Sequence, residues 1–119
     1  MTASLYERLG GTDGITNITS DLVDNHLANS RIASRFADSD VAGMKKSAAA
    51  FVITGTGGPE VYTGGDMVSV HAGMNIDAEE FMAVMDDALN AMTKNNIGQR
   101  EQEEILFVLY SMRSQVMLG

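Results

Sequence analysis

Apolar residues recur every three or four positions along most of this chain, which is the spacing of one face of an α-helix. Four stretches follow this spacing, and they are Ile15, Ile18, Leu22 and His26; Val41, Met44, Ala48 and Phe51; Phe81, Val84, Ala88 and Met92; and Ile105, Val108, Met112 and Val116. No stretch shows a convincing strict alternation of apolar and polar residues, which is the pattern of a strand. The pattern therefore predicts an all-α fold.

Glycine clusters and capping residues separate these stretches into individual helices. The breaks fall at Gly10-Gly11, in the glycine-rich segment 55–65 that contains Pro59, and at 95–98. Asp77 stands three residues before Glu80, which is the spacing of a capping box. The apolar neighbours Ile76 and Phe81 are placed as a hydrophobic staple around it. We predict helices over 5–9, 13–29 and 40–53, the last capped by Asp40, then a short helix over 66–71 and two long helices after Asp77.

Size and composition fit a single domain over residues 1–119. The 119 residues are 45% hydrophobic, and no apolar run approaches the roughly 20 residues that span a membrane. The N-terminus has no basic stretch followed by an apolar block, so we expect no signal or transit peptide and a cytoplasmic location. A formal net charge of -8 disfavours binding to nucleic acid or to anionic membranes.

The side chains that carry chemistry are few. Cysteine is absent, which excludes disulfides, zinc fingers, iron–sulfur clusters and thiol nucleophiles. The two histidines, His26 and His71, do not form a zinc motif. A single histidine is enough to bind haem iron from one side, provided that an apolar slot surrounds the porphyrin. The nine methionines are compatible with such a slot and also with an ordinary core. The residues by themselves leave open whether His71 is such a ligand or a capping or surface histidine.

Several short motifs occur in an order that is informative. They are Leu5-Tyr6-Glu7-Arg8-Leu9-Gly10-Gly11, Arg35-Phe36-Ala37-Asp38, Phe51, Gly57-Gly58-Pro59, and then Tyr62, Gly64, Met67, His71 and Ala72. In this order and over nearly the whole chain, they resemble the first group of the truncated haemoglobins. The resemblance implies a truncated two-over-two globin helical sandwich that holds haem b, iron protoporphyrin IX, and takes a diatomic gas as its ligand.

The same resemblance assigns residues to the haem site. It implies that His71 is the proximal iron ligand, whose second ring nitrogen should donate to a backbone carbonyl near Met67, one helical turn back. It implies that Phe36 packs against the porphyrin. The further cofactor-binding positions are Met44, Ser47, Ala48, Phe51, Tyr62, Met67, Val70, Ile76, Phe81, Val84 and Lys46, and for the wall residues ordinary core packing is the alternative. Lys45 and Lys46 are expected either to pair with haem propionates at the entrance of the slot or to be ordinary surface lysines. Gly65 stands where relatives often have an arginine for this pairing.

The ligand-facing side departs from the family pattern. Val23 stands where the family usually has a tyrosine, and Met44 and Ala48 fall on the two ligand-facing positions, where a glutamine is common. This distal pocket therefore lacks the usual hydrogen-bond donors. A hydrogen bond to a charged group contributes about 1.5–3 kcal/mol, so we expect oxygen to be bound weakly or released rapidly.

The leading functional hypothesis is reversible binding of oxygen, carbon monoxide or nitric oxide at the histidine-ligated iron. One alternative is a nitric oxide dioxygenase or a peroxidase-type haem oxidoreductase, which would need a reductase, so whether the chain is an enzyme stays open. A second is electron transfer through a Met/His-ligated haem with Met44 on the iron. A third is a haem-free globin scaffold. His26 is either a second axial ligand or a buried or partly exposed histidine without that role.

Overall fold

The computed structural model describes residues 3–67 and 71–117 and confirms the all-α fold. The helices are α1 (Leu5–Arg8), α2 (Gly11–Ala28), α3 (Val41–Gly55), α4 (Ala78–Lys94), α5 (Gln99–Ser111) and α6 (Arg113–Val116), with a 3-10 helix over Ala33–Phe36. Met67 and His71 are also helical. Within these residues there is no β-strand, and the only strand-like contact is an isolated bridge between Ile76 and Met117.

The helix ends follow local chemistry. The predicted capping box is confirmed, because Oδ1 of Asp77 accepts from the backbone N–H of Glu80 at 2.8 Å and the Glu80 carboxylate accepts from that of Asp77. The predicted staple partners Ile76 and Phe81 are buried in one cluster. Asp40 does occupy the N-cap position of α3, but its side chain makes no capping hydrogen bond and lies against Gly43 instead.

Two short elements differ from the prediction, because the 3-10 helix was not predicted and the apolar spacing through Met112 and Val116 predicted one helix where the structure ends α5 at Ser111 and begins α6 at Arg113. The 3-10 helix Ala33–Phe36 and helix α6 each contain four residues. A helix of this length covers about one turn, which is too short for a periodicity of 3.6 residues to show in the sequence. The 3-10 helix matters for function, since it carries Arg35 and Phe36.

Helix α2 is the central element of the fold. It packs on α3 along one side and on α4 along another, while α4 also packs on α5. The main core lies where these helices meet, and its buried members are Leu9, Ile15, Ile18, Ala49, Ile53, Ala91 and Met92. A smaller cluster of Ile76, Phe81 and Met85 lies apart from this core. All three members of this smaller cluster also line the cavity that forms the candidate site.

The N-terminal helix is tied to the far end of the sequence. Nη1 of Arg8 donates to Glu101 at 2.7 Å, and the same guanidinium binds Glu104 through both carboxylate oxygens. The backbone N–H of Tyr6 donates to the carbonyl of Thr56 at 2.9 Å. These contacts hold α1 against α3 and α5. Across the described ranges, no helix combines the length and the apolar character needed to cross a bilayer.

Candidate functional site

An apolar cavity of about 280 Å³ lies between α2, α3 and the C-terminal half of the chain. Its walls are formed by His26, Ile32, Arg35, Phe36, Phe51, Met67, His71, Met74, Ile76, Glu80, Phe81, Val84, Met85, Leu109, Met112 and Val116. A second apolar cavity of about 180 Å³ adjoins it and shares Phe51, Leu109 and Met112 as walls. Together the two form an extended apolar cleft with only a few polar groups around it, which is typical of a small-molecule or cofactor site.

His71 presents one ring nitrogen to this cavity. Its Nδ1 lies 2.8 Å from the backbone carbonyl oxygen of Met67, so the predicted hydrogen bond is confirmed. A carbonyl oxygen can only accept, so Nδ1 carries the proton and Nε2 keeps its lone pair. Metal-bound histidines usually have this arrangement, because the second hydrogen bond fixes both the tautomer and the ring orientation. The His71 side chain is therefore prepared to donate an electron pair into the cavity.

The chain turns sharply after His71. Gly73 has a φ of 79° and Asn75 a φ of 52°, which is the left-handed region that glycine and asparagine tolerate best. The backbone N–H of Met74 donates to the carbonyl of His71 at 3.2 Å and closes the turn. This turn returns the chain to the cavity, where Met74 and Ile76 become walls. Helix α4 then begins directly behind them.

The structure brings many of the predicted site residues together. The predicted residues that line the cavity are Phe36, Phe51, Met67, His71, Ile76, Phe81 and Val84. Tyr62 lies behind this wall, where its ring meets that of Phe51 edge to face at 5.2 Å and its hydroxyl donates to the carbonyl of Gly65 at 2.7 Å. Val70 lies outside the described residues.

Other predicted positions do not reach the cavity wall. Val23 is buried within the core, Met44 and Ala48 are half-buried on α3, and Ser47 is exposed. Lys46 borders a separate surface cleft beside Lys45. Nζ of Lys45 pairs with Asp24 at 2.8 Å. The described walls therefore come from α2, the 3-10 helix, the end of α3 and the second half of the chain, and not from the middle of α3.

Methionine is a frequent wall residue. Met67, Met74, Met85 and Met112 all line the cavity. Of these, only Met67 was assigned to the site from the sequence. Thioether side chains adapt to irregular apolar shapes, so their concentration here fits a cavity that must close around a bulky ligand. The sequence signal for the other three was the high methionine count, together with the apolar helical spacing in the case of Met112.

One ion pair stands at the cavity and was not predicted. Nη2 of Arg35 donates to Oε1 of Glu80 at 2.9 Å, and Nε of Arg35 binds the other carboxylate oxygen. The Arg35 guanidinium lowers the pKa of the Glu80 carboxyl, so this carboxylate stays ionised and paired. The pair joins the 3-10 helix to the first turn of α4. Arg35 and Glu80 are the described wall residues with full charges, and the two charges neutralise each other.

A buried histidine–carboxylate pair is the second polar feature of the wall. Nδ1 of His26 lies 2.6 Å from Oδ2 of Asp87, with the His26 residue 9% and Asp87 5% exposed. The amide of Asn29 donates to both Asp87 oxygens at 3.2 and 3.3 Å, and the amide of Asn25 donates to the Asp87 backbone carbonyl at 3.1 Å. His26 is thus a buried histidine of the cavity wall. The available signal was an acidic residue, Asp87, on the apolar face of α4.

Comparison with known proteins agrees with the fold and with the motif order. The family model of the bacterial-like globins matches residues 4–118. The group 1 truncated hemoglobin GlbN of Mycolicibacterium paratuberculosis is 26% identical over 117 residues, covering 98% of this chain and 86% of that protein. The GlbN of a Nostoc species is 25% identical and covers 97% of this chain and 98% of that protein.

Solved structures show the same architecture. The truncated hemoglobin of Tetrahymena pyriformis in its Fe(III) form superposes with a TM-score of 0.94 at 23% sequence identity. The superposition covers 98% of this chain and 100% of that chain. The 2/2 hemoglobin of a Synechococcus species, solved in the cyanomet state with covalently attached heme, gives 0.89 at 23% identity over 97% of this chain and 98% of that chain. The chain belongs to the bacterial-like globin family, and its fold is that of the truncated haemoglobins.

Proposed function

We propose that this protein binds oxygen, carbon monoxide or nitric oxide reversibly at a haem b group whose iron is held by His71. The observation that carries the proposal is the hydrogen bond from His71 to the Met67 carbonyl, which leaves the Nε2 lone pair free at the wall of an apolar cavity. Haem would supply there an iron centre that can bind a small gas.

The other wall residues fit the porphyrin. Phe36, Phe51 and Phe81 offer flat apolar surface, and the methionines fill the gaps around it. The paired charges of Arg35 and Glu80 add no net charge to the cavity. Such a wall excludes water and disfavours ions, because an unpaired charge in apolar surroundings costs several kcal/mol or more. The cavity therefore favours uncharged gas molecules.

An absorption spectrum of the purified, haem-supplied protein tests the proposal. We expect an intense Soret band in the ferric and ferrous forms, and a shift of the ferrous band when carbon monoxide is added. The shift reports a gas bound directly at the iron. A parent protein that shows no Soret band after haem is supplied would contradict the proposal and leave a haem-free globin scaffold as the better interpretation.

Oxygen is expected to leave the site quickly. Val23 and Ala48, at the expected ligand-facing positions, carry no donor although they do not line the described cavity, and the wall groups Nδ1 of His26 and Arg35 are already paired with Asp87 and Glu80. We predict an oxygen dissociation rate about tenfold to a hundredfold above that of a tyrosine-containing relative measured beside it, the equivalent of one hydrogen bond to a charged group. Stopped-flow displacement of oxygen by carbon monoxide gives the rate. Equal rates in the two proteins would refute the apolar ligand side.

The enzymatic alternative has a separate readout. Nitric oxide dioxygenation would need a reductase, and we predict that oxygenated protein autoxidises and stops rather than turning over with nitric oxide.

Met44 does not line the cavity, so electron transfer through a Met/His-ligated haem is not proposed. The cytoplasmic location, and the lack of binding to nucleic acid or membranes, remain predictions from composition and charge.

A further inference from the structure

We propose that His26 and Asp87 form a proton-accepting pair in the cavity wall, through which the site binds small weak acids, hydrogen cyanide and hydrogen peroxide among them. A weak acid of this kind enters as an uncharged molecule and becomes an anion when it loses its proton. The proposal rests on the haem site proposed above. It adds ligands that bind as anions. The apolar walls would disfavour the entry of these anions if they arrived already charged.

The hydrogen bonds of Asp87 decide which nitrogen of His26 is protonated. An ionised carboxylate can only accept, so Nδ1 of His26 must carry the proton that it shares with Oδ2 of Asp87 at 2.6 Å. Asn29 donates to the same carboxylate, and among the described residues no lysine or arginine pairs with it. Asp87, itself held by Asn29, therefore fixes the proton on Nδ1 of His26, and in the neutral ring Nε2 is an acceptor.

Nε2 of His26 is the atom available to a ligand. Every fully buried side-chain nitrogen or oxygen in the described ranges has a hydrogen-bond partner, whereas Nε2 has none there. Nε2 is consequently not sealed inside the protein, and the space that the ring borders is the cavity. A basic nitrogen without a partner is thus available at a wall that is otherwise almost entirely apolar.

The ring is held in place from two further directions. It stacks on Phe36 with the ring centres 5.8 Å apart and the planes within 9° of parallel. Asn25 ties α2 to the backbone of Asp87 on α4, so the two helices cannot slide past each other without breaking the pair. Asp87 acts as a positioning residue, since it sets both the tautomer and the direction of the imidazole.

The proton transfer balances within the cavity. The bond between hydrogen and X in an acid H–X breaks, the electron pair stays on X, and the proton moves to Nε2 of His26. The resulting imidazolium keeps its Nδ1–H bond to the Asp87 carboxylate, which compensates the new positive charge. X⁻ remains as the anion to be bound. When the ligand leaves, X⁻ takes the proton back and departs as H–X. Glu80 does not compete for the proton, because Arg35 already binds both of its oxygens.

The test compares an acid with a gas that has no proton. The probes are hydrogen cyanide with the ferric haem-loaded protein and carbon monoxide with the ferrous form. The substitution His26→Gln keeps a polar side chain at this position but removes the basic nitrogen. We therefore expect cyanide association to slow about 100-fold, within the range of general acid–base effects. Carbon monoxide association should slow at least about tenfold less than cyanide association, because no proton moves in that reaction and only the changed wall can affect it.

Asp87→Asn tests the positioning role and Asp86→Asn is its matched control. The amide introduced by Asp87→Asn can donate to Nδ1 and shift the proton to Nε2, so cyanide association should slow to a similar degree while His26 is still present. Nitrogen NMR of the carbon-monoxide form should show Nδ1-protonated His26 in the parent and a shift towards the Nε2-protonated ring in this variant. Asp86 is exposed on the same helix, and its variant should match the parent in every readout.

The outcomes separate this inference from the proposed function. A parent that has a carbon-monoxide-sensitive Soret band, together with unchanged cyanide association in His26→Gln, would overturn the inference and leave gas binding intact. Equal slowing of cyanide and carbon monoxide would also overturn it, because that indicates a distorted cavity. An Nε2-protonated His26 in the parent would overturn it without any variant. A parent without a Soret band would overturn the proposed function and this inference together.

Discussion

Substituting His71 by alanine is expected to remove most of the Soret absorbance of the haem-supplied protein. The proposed haem site assigns the iron to His71, whose hydrogen bond to the Met67 carbonyl leaves Nε2 free to bind it. Loss of groups that merely support a metal ligand lowers metal affinity about 10–100-fold, so loss of the ligand itself should exceed that range. Haem titration followed by absorbance measures the affinity.

Chemical rescue makes this prediction specific. The His71→Gly variant should regain a Soret band when free imidazole is added. Free imidazole supplies the iron-binding ring nitrogen that the variant lacks, although it is not attached to the chain. Circular dichroism of both variants before haem is supplied checks that the helices are intact. If His71→Ala instead keeps the band, and the carbon-monoxide shift, at the parent's haem affinity, then another residue holds the iron.

The helices could be predicted because their signals are local. The apolar spacing and the Asp77–Glu80 capping box lie within a few residues of one another, so the sequence contains the whole interaction. The hydrogen bond from His71 to Met67 is equally local, since the two residues are one turn apart. Local chemistry was less reliable at Asp40, where the N-cap position is right but the side chain turns to Gly43.

The polar part of the cavity wall depends on distant contacts. His26 and Asp87 are 61 residues apart, and Arg35 and Glu80 are 45 apart, so no window of sequence contains either pair. Periodicity shows which face of a helix is apolar, but not which part of that face meets an internal space. On α3, for this reason, Phe51 lines the cavity while Met44 does not. An acidic residue on an apolar helical face was the one available hint of a buried pair.

A buried pair of this kind should also be important for stability. Replacing Asp87 by alanine leaves Nδ1 of His26 and the amide of Asn29 without their acceptor, in a place where Asp87 is 5% exposed. Leaving a buried donor without its acceptor typically costs about 1–3 kcal/mol, and two donors lose theirs here, against the roughly 5–15 kcal/mol that stabilises an ordinary domain. We therefore expect Asp87→Ala to be among the most destabilising single substitutions outside the main core.

Urea unfolding of the haem-free protein, followed by circular dichroism, measures this loss without the stabilisation that bound haem would add. Asp86→Ala is the matched control on the exposed face of α4 and should stay within about 0.5 kcal/mol of the parent. The double variant His26→Leu and Asp87→Leu should recover much of the loss, because replacing both members of a buried pair by apolar residues is often neutral. Recovery would show that the fold is stable with apolar residues at these two positions. The reason for a histidine and a carboxylate there would then be the chemistry of the cavity and not the stability of the fold. If the double variant is as unstable as Asp87→Ala, the pair is needed for the packing of α2 on α4 itself.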